Sequence, residues 1–99
     1  MTGIGRSSDG LDQRRKRLLY RAWHRGTREM DLLLGPFADA RIADLSLPEL
    51  DMLDELMSVP DPELYGWLTG AVPVPPRYDR SLFRQLATFH RRSGARHSS

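Results

Sequence analysis

Apolar side chains recur along this chain at helical spacing, and no stretch alternates at period two as a half-buried strand would. Leu11, Leu18, Leu19, Ala22 and Trp23 share one face of a first helix predicted from about Leu11 to His24, with Arg14, Arg15, Arg17 and Arg21 covering the remainder. Gly26 is the stop signal, because glycine accepts the left-handed backbone that ends helices. A second helix is expected to begin at Thr27 or Arg28, with Met30, Leu33, Leu34 and Phe37 at i, i+3, i+4 and i+7. Gly35-Pro36 predicts a kink or an early end there, since proline lacks the backbone donor and crowds the preceding turn, with a ragged continuation to Ala40.

Ser46 with Glu49 three residues later forms a capping-box signature for a third helix, and Pro48 is tolerated in a first turn. Leu50, Leu53, Leu56 and Met57 then point inward. Asp61-Pro62 reads as N-cap and first-turn proline of a short fourth helix, carrying Leu64, Tyr65, Trp67 and Leu68 before Gly70 closes it. Val72-Pro73-Val74-Pro75-Pro76 must be an extended linker. A last helix follows from about Tyr78 to Arg92, with Leu82, Phe83, Leu86 and Phe89 inward. The expected fold class is therefore all-α, a compact bundle of five short helices over residues 11–92. Residues 1–10 read as a flexible lead-in and residues 93–99 as a flexible tail.

Charge changes this picture more than composition does. The 99 residues carry a net charge of only +2, but it is segregated along the chain. Residues 1–29 hold eight basic and three acidic side chains, residues 30–65 one and nine, and residues 66–99 six and one. Basic first and last helices are expected to attract the acidic middle ones when packed. Arg14-Arg15-Lys16-Arg17 has the sign to neutralise phosphates, yet Glu29 and Asp31 at the start of the second helix oppose a helix-turn-helix reading. Nucleic-acid binding, including an antitoxin-like regulator, is the alternative to a protein-binding function.

Several chemistries are excluded. Without cysteine there is no disulfide scaffold, thiolate metal site or cysteine nucleophile, which fits a reducing cytoplasm. Met1–Asp9 lacks an apolar stretch, so no secretory leader is expected, and no run approaches the ~20 apolar residues of a membrane span. His24, His90 and His97 have no metal-ligand spacing, and Asp51, Asp54 and Glu55 read as a solvated helix face. Trp23 and Trp67 read as core anchors in preference to ligand platforms. Gly3-Ile4-Gly5 lacks the third glycine and the preceding strand of a dinucleotide loop. A five-helix bundle leaves little volume for an internal ligand, so function is expected on a surface, and no catalytic role is expected.

The densest charge lies at the corner between the first two helices, Trp23-His24-Arg25-Gly26-Thr27-Arg28-Glu29-Met30-Asp31. One reading is structural: with Gly26 as N-cap, Glu29 occupies N3, bonds back to the cap amide and pairs with Arg25. The other is functional. Arg25-Gly26-Thr27-Arg28-Glu29 is similar to the RGxxE motif of the succinate dehydrogenase assembly factors, also called FAD assembly factors or the SdhE family. Tyr20–His24, Leu34–Ala38 and the segment Asp61-Pro62-Glu63-Leu64-Tyr65-Gly66-Trp67-Leu68 resemble the family as well, so the likeness covers about residues 11–92.

The resemblance implies a helical chaperone that binds the flavoprotein subunit of succinate dehydrogenase, and in some bacteria fumarate reductase, and promotes covalent FAD attachment to that subunit. It places the partner contact on Arg25, Gly26 and Glu29, with His24, Arg28 and Asp31 as neighbours of the same surface. It further implies that FAD belongs to the partner and that this chain holds no cofactor or metal, acting as a monomer in a bacterial cytoplasm.

Overall fold

A computed structural model describes the backbone of residues 10–97 and the side chains of residues 10–92. The expected lead-in over residues 1–9 and the last two residues of the expected tail lie outside the described residues. The elements are α1 (Gln13–Trp23), α2 (Arg28–Arg41), a 3-10 turn (Ile42–Asp44), α3 (Leu47–Met57), α4 (Asp61–Thr69) and α5 (Ser81–His97), with no strand among the described residues. The all-α expectation holds. The Cα radius of gyration is 12.9 Å, which is that of a packed domain of this length.

Each helix buries the stripe its periodicity marks. Leu18, Leu19 and Ala22 of α1 meet Met30, Leu34, Phe37 and Ala38 of α2 and Leu50, Leu53, Leu56 and Met57 of α3 in one core, closed by Leu64 and Leu68 of α4 and Leu82, Phe83 and Leu86 of α5. Helix α1 packs chiefly on α2 and then on α3, while α5 touches α2, α3 and α4. The Phe37 and Phe89 rings meet edge to face at 5.7 Å. The segregated charges pair across this packing: Arg14 bonds Asp51 at 2.5 Å and Arg21 bonds Asp54 at 2.9 Å, joining the basic α1 to the acidic α3.

Local signals placed most boundaries. Asp12 caps α1 by accepting from the Arg15 amide, and the Ser46–Glu49 capping box is complete in both directions at 3.3 and 2.8 Å. Gly70 ends α4 at φ +83°.

Four boundary expectations fail, the first two for a tertiary reason. Helix α2 does not end at Pro36 but continues to Arg41. Proline deprives the Leu32 carbonyl of its donor, but Leu32 is 53% exposed and so open to solvent, and buried Leu34, Gly35, Phe37 and Ala38 hold the turn. Asp61 does not cap α4: Pro60 takes that position without a side-chain bond, and Asp61 becomes the first helical residue with its carboxylate turned to Arg25. Helix α5 starts at Ser81 instead of Tyr78, because residues 75–79 form a turn whose Tyr78 and Asp79 amides bond the Pro75 carbonyl. The Tyr78 ring lies 5.1 Å from that of Trp67. The same helix runs through His97, five residues beyond the Arg92 boundary that the pattern predicts.

Candidate functional site

The corner between α1 and α2 is built by three short devices. Helix α1 ends at Trp23, whose indole lies over Gly35 of α2 and donates from Nε1 to Asp39 Oδ1 at 3.2 Å. Gly35 is required by that approach: a Cβ there would sit 2.3 Å from Cδ2 of the ring. His24 then stacks on Tyr20 at 4.0 Å and its Nδ1 donates to the Tyr20 carbonyl at 2.8 Å. Gly26 turns the chain at φ +117°, a conformation costly for any L side chain, and Thr27 caps α2 by accepting from the Met30 amide.

This cap replaces the expected one. With Thr27 as N-cap, Glu29 falls at N2 and no Gly26–Glu29 capping box forms. Nor does Arg25 pair with Glu29. Its side chain is only 9% exposed and turns inward, donating from Nε and Nη2 to Asp61 Oδ1 at 2.9 and 2.5 Å. Nη2 also donates to the Val59 carbonyl at 2.7 Å and Nη1 to that of Met57. The guanidinium thus satisfies the carbonyl end of α3, where the helix dipole favours a cation, while Asp61 stands at the start of α4, where it favours an anion. The Arg25 amide donates to Asp31 Oδ1 at 2.6 Å, which closes the corner from the other side.

The six residues singled out in the sequence therefore divide. His24, Gly26, Arg28 and Glu29 are exposed on one corner, whereas Arg25 and Asp31 face inward and shape it. Glu29 makes no ion pair or side-chain hydrogen bond among the described residues. A shallow groove runs beside it, lined by Thr27, Glu29 and Met30 on the α2 side and by Asp61, Pro62 and Tyr65 on the α4 side. Asp61, Pro62 and Tyr65 complete a surface that the first two helices only begin. Their part in it is not readable locally, because 36 positions separate Arg25 from Asp61.

The groove does not suit a flavin cofactor of this chain's own. Glu29 and Asp61 would oppose a pyrophosphate, and the α2 amide of Met30 is already bonded to Thr27. A depression of the right sign, with Arg41, Arg84, Arg92 and the Phe89 ring, lies at the other end of α2, but its three guanidiniums are all solvent-exposed. No group of three metal-ligating side chains occurs among the described residues.

The sequence profile described as "Flavinator of succinate dehydrogenase" matches residues 16–90, a span that contains both walls of the groove. The chain belongs to this flavinator family. It is 39% identical over 82 residues to the FAD assembly factor SdhE of Acetobacter pasteurianus, covering 83% of this chain and 75% of that protein. It is also 39% identical over 78 residues to the mitochondrial succinate dehydrogenase assembly factor 2 of Mycosarcoma maydis, covering 79% of this chain and 33% of that one. Against the Drosophila grimshawi protein of the same name the identity is 37% over 83 residues, covering 82% of this chain and 56% of its relative. The chain thus spans less than two thirds of the length of these two mitochondrial relatives. No helix among the described residues is long and apolar enough to cross a membrane.

Proposed function

We propose that this chain is an assembly chaperone that binds the flavoprotein subunit of succinate dehydrogenase and promotes covalent attachment of FAD to it. Membership of the flavinator family supports the activity. The observation that carries the site is the exposed corner, where Glu29 is left without an internal partner beside a glycine whose outward side is open. A Cβ on Gly26 would meet nothing within 4 Å in this chain, so space at that point is available to an approaching protein.

The chain acts by differential binding and not as a catalyst. It favours the flavoprotein conformation in which the reacting histidine and the flavin are aligned, and the chemistry stays with the partner and its FAD. Glu29 and Arg28 supply charge-assisted contacts at the rim, and Gly26 permits close approach. His24 flanks them. The chain works as a monomer in the cytoplasm, serving succinate dehydrogenase and, by the same surface, a fumarate reductase flavoprotein where one is present. Docking to protein is favoured over nucleic acid because Arg14 and Arg21 are already paired with Asp51 and Asp54, while Arg15 and Arg25 turn into the bundle; Arg15, for example, bonds the Ile42 and Leu45 carbonyls at 2.9 and 2.6 Å.

The test is co-expression of the flavoprotein subunit with the wild-type chain, Glu29→Ala or Gly26→Arg, read by in-gel flavin fluorescence. Wild type should raise covalent flavin above the level without the chain, and both variants should lower it. Equal covalent flavin with and without the wild-type chain overturns the function; full activity of both variants overturns the corner.

A further inference from the structure

The two walls of the groove come from elements that pack elsewhere. Helix α4 rests chiefly on α5, and α2 rests on α1 and α5. The polar tie between the walls is the guanidinium of Arg25. Three of its neighbours span the α3–α4 turn: Met57 ends α3, Val59 lies in the turn and Asp61 opens α4. The Arg25 backbone is fixed in turn to α2 through Asp31. Beyond the shared packing on α5, Arg25 is therefore the polar link that holds Glu29 on one wall in register with Pro62 and Tyr65 on the other. Tyr65 is 45% exposed and makes no side-chain hydrogen bond among the described residues, so its ring is a free apolar surface facing a free carboxylate across the groove.

We propose that the docking surface is a composite of the starts of α2 and α4, and that Arg25 serves it as a positioning residue and not as a contact. The flavoprotein meets Glu29 from one wall and Pro62 and Tyr65 from the other. Charge and polarity fix the chemistry of the partner segment: an apolar side chain lying over Met30, Pro62 and Tyr65, next to a cation that pairs with Glu29. This inference rests on the flavoprotein being the partner.

The experiment measures the affinity of the purified chain for the flavoprotein subunit, with circular dichroism confirming that each variant is folded at the assay temperature. Arg25→Ala and Asp61→Ala should each weaken binding by about tenfold, and the double variant should be no weaker than the poorer single one, because both substitutions release the same turn. Should Arg25→Ala not fold, Arg25→Lys takes its place in the cycle, since an ammonium cannot serve Asp61 and two carbonyls as the guanidinium fork does. Tyr65→Ala should weaken binding severalfold, and Arg92→Ala, on α5 beside the far end of α2, should leave it unchanged. Multiplicative losses from Arg25 and Asp61 would show that Arg25 touches the partner and would overturn the positioning role. Unchanged affinity of Tyr65→Ala would overturn the α4 wall. Absence of binding by the wild-type chain, in contrast, defeats the flavoprotein reading itself.

Discussion

Replacing Gly35 by alanine sets two effects of known size against each other. In the interior of a helix alanine is favoured over glycine by up to about 1 kcal/mol, which would stabilise α2. The added Cβ, however, lies 2.3, 2.5 and 2.5 Å from Cδ2, Cε2 and Cε3 of Trp23. Ordinary carbon contacts sit at about 3.5–4.0 Å, so the overlap is about an ångström or more at three atoms of one rigid ring. Rotation of the indole relieves one contact at the expense of another, and its Nε1 is held by Asp39. Helix α1 or α2 must therefore shift, which costs about 3 kcal/mol, the upper part of the usual range for overpacking. The net loss is about 2 kcal/mol, or ~8–16 °C in Tm for a domain of this size. Gly66→Ala is the internal comparison. Its Cβ meets only Val72 Cγ2 at 3.1 Å, and Val72 is 48% exposed and free to move. The helix preference should then offset the contact and leave Tm within about 4 °C of wild type. Thermal unfolding followed by circular dichroism measures both. A Gly35→Ala protein as stable as wild type would refute the packing of Trp23 on α2. Because Trp23 is the residue before His24, the same variant should also bind the flavoprotein less tightly.

The ion pairs should differ in worth. Arg14→Ala removes an exposed pair with Asp51 and should cost no more than about 1 kcal/mol in urea unfolding, whereas Arg25→Ala strands Asp61 and two carbonyls and should cost about 3 kcal/mol; equal losses would refute the burial argument. Acid should destabilise the fold in two steps. Burial, and secondarily Arg91, hold the His90 pKa below its ordinary 6.5, so the unfolded chain takes up a proton first and stability falls as pH drops below 6.5. The Ser46 amide, and then Gln85, hold Glu49 below its ordinary 4.5, so its contribution is present above 4.5 and is lost as pH falls through the depressed value. In Tm measured against pH, His90→Gln should remove the upper step and Glu49→Gln should diminish the lower one; an unchanged profile in either variant would refute its assignment.

The sequence by itself determined the elements whose causes lie within a turn or two of the chain. Apolar spacing placed the five helices, the Ser46–Glu49 box started α3, and Gly70 ended α4, because each device needs only neighbours three or four residues apart. It also marked the corner at residues 24–31 as the place of interest, since mixed charge around a glycine is legible in one dimension. The roles of those charges were not legible. By local rules Asp61 should cap α4 and Glu29 should bond Gly26, yet Asp61 is drawn to Arg25 and Thr27 takes the cap. Pro36 should kink or end α2, yet the helix continues past it to Arg41 with buried residues on either side. Only the tertiary structure decided these points. A guanidinium buried against the end of α3 has to find its carboxylate and carbonyls there, and that requirement outweighs the ~1 kcal/mol of a local cap. The same burial turned Arg25 away from the surface and left Glu29 as the motif's free charge, a division that the spacing of the two residues along the chain does not contain.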